Sequence, residues 1–145
     1  MSVDFVSRSL AGVGDRLPVV VRTVDQQAID AYARASGDFN PIHVDPGFAR
    51  QGPFGRTIAH GLMTLAFVAE MLNDWSGGAF DETGEIDIAF TGPVFAGDTV
   101  EVTGAVEETV RRDGVECARI KLVVRAGDRQ ILAGHAIQPI KEPED

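Results

Sequence analysis

The chain has 145 residues, 44% of them hydrophobic and 24% charged, the proportions of a globular domain large enough to bury a core. Its net charge of -9 argues against general nucleic-acid binding and gives no global attraction for an anionic ligand. The stretch Met1–Arg8 lacks a basic segment followed by an apolar run, and the longest apolar stretch is too short for a bilayer, so a cytoplasmic protein without membrane insertion is expected.

Residues 17–22, Leu-Pro-Val-Val-Val-Arg, read as a strand. Thr23 and Gln26 fit a capping box with Thr23 as the N-cap. Ile29, Tyr32 and Ala33 fall on one helical face, which predicts an amphipathic helix over roughly 24–36. Irregular chain is expected from there through about Gly55, with Gly47, Gly52 and Pro53 as breakers.

That irregular stretch opens with the most informative octet in the chain, Ser36-Gly37-Asp38-Phe39-Asn40-Pro41-Ile42-His43. Gly37 permits a sharp turn before Asp38, and Pro41 disfavours helical geometry at Asn40, so regular helix is not expected here. An acid, Asp38, and a base, His43, then share one pinned loop. Two such groups can address a single water molecule from two sides.

From Ile58 to Leu72 apolar residues occupy nearly every side, which predicts a helix buried all round. At that length it reaches on the order of 25 Å, enough to cross a small domain. After Asp74–Gly78 the period changes to two. Ile86, Ile88 and Phe90 form one alternating set, Val100 and Val102 a second, and Ala118, Ile120, Leu122 and Val124 a third. Gln130–Ile140 is a mixed fourth run, and Ala96-Gly97-Asp98, Arg112-Asp113-Gly114 and Ala126-Gly127-Asp128 mark turns. One strand and two helices therefore precede four antiparallel strands. The expected architecture is an α+β domain over 1–145, its sheet wrapped around the apolar helix, with 141–145 as a loose polar tail.

Cys117, the only cysteine, lies in a strand-like run and reads as a small buried hydrophobe. His135 shares strand parity with Ile131 and Ile137 and reads as a partly buried, hydrogen-bonded residue. The three histidines have no metal-ligand spacing, so no metal site is expected.

The stretch Ala35–His43 resembles the signature of the MaoC-like (R)-specific enoyl-CoA hydratases and 3-hydroxyacyl thioester dehydratases. The similarity continues through Ile58-Ala59-His60-Gly61-Leu62 and resumes at Phe90-Thr91-Gly92-Pro93-Val94-Phe95-Ala96-Gly97-Asp98, so it covers nearly the whole chain. The resemblance implies a hot-dog fold, a curved antiparallel sheet around a long buried helix. It implies reversible addition of water to a trans-2-enoyl thioester, giving an (R)-3-hydroxyacyl thioester, with CoA or acyl-carrier-protein thioester as substrate and no cofactor. Matched residue by residue, the catalytic acid and base of the family fall on Asp38 and His43. The supporting asparagine falls on Asn40. The helix-start glycine, whose backbone N–H serves as an oxyanion donor, falls on Gly61. The resemblance further implies a homodimer or larger even assembly, with a heterodimer open.

Such a hydration needs an oxygen nucleophile at C3, a proton at C2 and stabilisation of the charge on the thioester oxygen. A helix start offers free N–H groups and partial positive charge for that oxygen, and Gly61 has no side chain to block its approach. Ala66 and Ala69 are small enough to leave room for an acyl chain, or to serve close packing. Arg50 and Arg56 flank the loop and are available to CoA phosphates or to solvent. For His60 a structural hydrogen bond is favoured over catalysis. Arg111 and Arg112, the adjacent basic pair, look like hairpin residues. The motif does not separate CoA from carrier-protein thioesters. A hot-dog thioesterase is disfavoured by the Asp–His spacing and the lack of a His-Gly-Gly element. A subunit that completes a partner's active site remains an alternative.

Overall fold

The computed structural model describes residues 4–141. In chain order its elements are β1 (Val6–Ser7), β2 (Val20–Val24), α1 (Gln26–Ser36), α2 (Pro41–Val44), α3 (Pro46–Arg50), α4 (Gly61–Ser76), α5 (Ala79–Thr83), β3 (Glu85–Phe90), β4 (Asp98–Arg112), β5 (Val115–Ala126) and β6 (Arg129–Lys141). The sheet order is β1-β6-β5-β4-β2, with β3 also paired to β6. Among the described residues every strand pairing is antiparallel except that of β1 with β6.

The period-two runs decide which sheet face turns inward. Ala118, Ile120, Leu122 and Val124 are wholly buried, while Lys121 and Arg125 between and after them are exposed. Val100, Val102 and Val106 line the same core, which α4 enters with Val68, Met71, Leu72 and Trp75. Each fully buried side chain of this size contributes about 1.5–3 kcal/mol relative to exposure. The helix lies close on the sheet. A Cβ on Gly104 of β4 would sit 2.8 Å from the Met71 methyl, so only glycine fits there without a shift.

Several expectations shift. The strand expected at 17–22 is β2, running from Val20 to Val24, with Thr23 inside it opposite Thr99, and β1 precedes it. Strand pairing therefore removes Thr23 from any capping role. Asp25 caps α1 instead, accepting from the Ala28 N–H at 2.8 Å. The region expected to be irregular contains α2 and α3. Asn40 and Asp45 cap them, and each helix begins with proline at a position where the missing N–H costs nothing. Pro41 does hold Asn40 extended, at ψ 128°, as expected, but it starts a helix rather than forbidding one.

The long helix begins at Gly61, not Ile58. Ile58 is bridged to Phe95 and the Ala59 N–H donates to the Val94 carbonyl, so these residues belong to an extended connection. Nor is α4 covered all round: Leu62 is 63% exposed and Ala66 is exposed. Lys141, expected in the tail, is the last residue of β6 and pairs with Ser7; the rest of that tail lies outside the described residues. Arg111 and Arg112 end β4 at the hairpin, as expected, with Arg111 donating to the Gly114 carbonyl at 2.9 Å.

Candidate active site

Helix α1 stops at Gly37, whose φ of 78° is in the left-handed region. The chain then turns through a run of local hydrogen bonds. Ser36 Oγ accepts from the Asp38 N–H at 3.2 Å, Asp38 Oδ1 from the Asn40 N–H at 3.1 Å, and Asn40 Oδ1 from the Ile42 N–H at 3.2 Å. Side chains short enough to bond their own backbone favour such turns. Asn40 is thus a structural part of the loop, capping the helix that carries His43 inward.

His43 is 8% exposed. Its Nδ1 lies 2.7 Å from the Ile58 carbonyl oxygen. That oxygen can only accept, so Nδ1 carries the hydrogen and Nε2 of the neutral ring keeps a lone pair. Nε2 lies 4.0 Å from Asp38 Oδ2. A direct hydrogen bond does not span that gap, but a water oxygen about 2.8 Å from each atom does. Both neighbours accept, so this water would donate one hydrogen to each and keep its lone pairs for an electrophile.

The far side of α2 is fastened through Gln26. Its amide nitrogen donates to the His43 carbonyl at 2.8 Å and to Asp30 at 2.9 Å, and its Oε1 accepts from the Thr57 hydroxyl at 2.6 Å. His60, 3% exposed, donates from Nε2 to the Asp38 carbonyl at 2.9 Å. Its ring stacks on His43, centroids 3.8 Å apart and planes 25° apart.

Ligand atoms of Asp38, His43 and His60 lie within 4.8 Å of one another. The arrangement does not suit a metal ion. Imidazole lone pairs lie in the ring planes, and those of two stacked rings do not converge on one point. One nitrogen of each ring is already given to a carbonyl.

His60 is also the N-cap of α4, and Gly61 is its first residue. The Gly61 N–H is therefore among the donors that an α-helix leaves free at its start, at the positive end of a 16-residue helix. Gly61 lines a groove of about 430 Å³ together with Phe54, Ile58, Thr64, Phe90 and Ile131 among others. Asp38 and His43 stand beside this groove rather than in its lining. Ile58 joins the two: it lines the groove and its carbonyl holds His43.

Residues 13–127 match the family model described as MaoC like domain. The chain belongs to this family.

Among its relatives, 3-hydroxybutyryl-CoA dehydratase of Methylorubrum extorquens is 31% identical over 88% of this chain and 80% of its own. The (R)-specific enoyl-CoA hydratase of Aeromonas caviae is 33% identical over 75% of this chain and 81% of its own. The solved structure of the (R)-hydratase from A. caviae involved in PHA biosynthesis superposes with a TM-score of 0.75 at 25% identity, covering 90% of this chain and 97% of that one. The hot-dog fold expected from the motifs is thus the fold of this MaoC-like chain. The named relatives are hydratases and dehydratases, enzymes of the lyase class.

The remaining sites of this MaoC-like protein fall as follows. Ala66 is exposed and Ala69 half-buried, and neither lines the groove beside Gly61. Arg50 is exposed at the end of α3. Arg56 lies with its guanidinium 3.7 Å above the Phe95 ring. Arg129 lies over the same ring at 4.7 Å, but Asp98 pairs with it at 2.5 Å. Cys117 is 2% exposed, burial pushes its thiol pKa up, and it behaves as the expected small hydrophobe. His135 is half-buried and bonds Glu107 at 3.0 Å. Among the described residues no helix is long and apolar enough to cross a membrane.

Residue-type reasoning missed the Ile58 carbonyl, Gln26, Thr57 and Phe90. A backbone acceptor has no sequence signal. Gln26 carried one, but it pointed to a helix cap.

Proposed function

We propose that the protein is an (R)-specific hydratase and dehydratase that interconverts trans-2-enoyl-CoA and (R)-3-hydroxyacyl-CoA. One observation carries the reading: His43 gives its Nδ1–H to Ile58 and turns a bare Nε2 towards Asp38 Oδ2, 4.0 Å away. This is a seat for a water held by two acceptors. The water oxygen bonds to C3 while one acceptor takes a proton, the C2=C3 electrons move onto the thioester oxygen, and the pair returns one proton to C2. General acid–base groups of this kind contribute typically about 10²–10⁴-fold. The Gly61 N–H receives the thioester oxygen as charge develops there.

The apolar groove beside Gly61 suits an acyl chain, and Arg56, resting on Phe95, offers a cation for the phosphates of CoA. CoA enters as substrate, and the chemistry calls for no further cofactor. The edge of β3 left free among the described residues, with the exposed Leu62 and Phe90, supports a homodimer or larger even assembly.

Incubation with crotonyl-CoA and longer enoyl-CoAs, followed by chiral analysis, tests the reading. The expected product is the (R)-3-hydroxyacyl-CoA; exclusive hydrolysis to free acid and CoA would replace the hydratase with a thioesterase. Turnover only of carrier-protein thioesters would move the substrate to that class.

A further inference from the structure

We propose that His60 is a positioning residue of the Asp38–His43 pair, whose Nε2–H fixes the main chain of the acid while its ring face fixes the plane of the base. The proposal rests on the hydratase reading for its catalytic consequence but not for its geometry.

Three contacts converge on this buried ring. Nε2 meets the Asp38 carbonyl at 2.9 Å, which requires a hydrogen on that nitrogen. One face lies against His43 at 3.8 Å between centroids. Tyr32 packs on it at 4.8 Å, tilted by 53°. The side-chain Nδ1 is buried and has no hydrogen-bond partner among the described residues. A hydrogen there would have no acceptor. The titratable groups around His60 are His43, Asp38 and Tyr32.

This arrangement uses one nitrogen and leaves the other bare, so the ring is not placed for maximal hydrogen bonding. What it does is couple two segments far apart in sequence. Asp38 follows α1, His43 sits in α2, and His60 immediately precedes α4. His60 therefore ties the acid and the base to the same helix start that presents the Gly61 N–H. A displacement of about 1 Å in such a group can cost about 10²-fold in rate.

The test separates the donor from the ring. His60→Phe keeps an aromatic face and removes the N–H; His60→Gln removes the ring and keeps an N–H at a similar reach. With folding checked by circular dichroism, His60→Phe is expected to lower kcat about 10–100-fold with little change in KM, and His60→Gln to recover part of that loss. Nitrogen-15 NMR of the wild-type histidines is expected to show a hydrogen on His60 Nε2 and on His43 Nδ1. Wild-type kcat in folded His60→Phe overturns the proposal, as does a His60 ring without a hydrogen on Nε2. Asp38→Asn and His43→Ala serve as controls on the same substrate. If they leave turnover intact, the catalytic pair is wrong, and the amide resonances of Asp38 and Asn40 decide the positioning role. A shift of both in His60→Phe supports it, and unchanged resonances overturn it.

Discussion

His43 donates its Nδ1–H to the carbonyl of Ile58 at 2.7 Å, and through that bond the base is tied to the strand-like entry of α4. The same bond fixes the tautomer. It leaves Nε2 as the atom that faces Asp38 Oδ2, 4.0 Å away.

Asp38→Asn and His43→Ala should each lower hydration of an enoyl-CoA by at least about 10²–10⁴-fold while the fold persists. Asp38 is exposed and bonded mainly within its own loop, so the asparagine variant should unfold near the wild-type temperature. Steady-state kinetics beside thermal melts give the answer, and near-normal turnover in either folded variant would reject the assignment.

Gly61→Val should impair catalysis more than stability. An added Cβ would meet the Phe90 ring at 3.3 Å, and that ring is 49% exposed and free to shift. The branched side chain would instead obstruct the approach to the N–H. A structure with a hydroxyacyl-thioester analogue is the direct check: its carbonyl oxygen should lie within hydrogen-bond distance of the Gly61 nitrogen.

Arg56→Ala should raise KM for an enoyl-CoA several-fold and leave KM unchanged for the same acyl group on a short thiol without phosphates. Arg50→Ala should affect both little. The contrast arises because Arg56 is anchored on Phe95, which lowers the entropy lost on meeting a phosphate. Equal KM values for wild type and Arg56→Ala on both substrates would remove Arg56 from the CoA site.

Gly134→Ala should destabilise the protein strongly without touching the site. Its Cβ would lie 2.2 Å from the Asp87 carbonyl oxygen and 2.6 Å from Ile88 Cα, so backbone of β3 would have to move. Overpacking of this kind costs about 1–3 kcal/mol or more, which a thermal melt reads as a drop of several degrees.

Light scattering of the active protein at micromolar concentration should give a dimer or larger even assembly. The free edge of β3 among the described residues and the uncovered Leu62, 63% exposed at the start of α4, motivate this. A clean monomer with full activity would contradict it.

The middle of β5 was legible because burial there follows period two from Ala118 to Val124. Ala118, Ile120, Leu122 and Val124 announce an inward face whatever the strand pairs with. Boundaries were less legible where two local preferences compete. Thr23-Val24-Asp25 offers two caps, and pairing with β4 claims Thr23 for the strand. Pro41 reads as a helix breaker and equally as a helix start, and the Asn40 side chain decides for the latter.

The sequence by itself determined that an acid, Asp38, and a base, His43, share one pinned octet, because that is a local property of the chain. It also determined the helix-in-sheet architecture, because periodicity is local too. Only the tertiary structure decided which nitrogen of His43 is bare, that His60 touches both acid and base, and that Gln26 braces α2 instead of closing a capping box. Those depend on the Ile58, Asp38 and His43 carbonyls, and a backbone oxygen is the same in every residue. Its role is set by where the fold carries it.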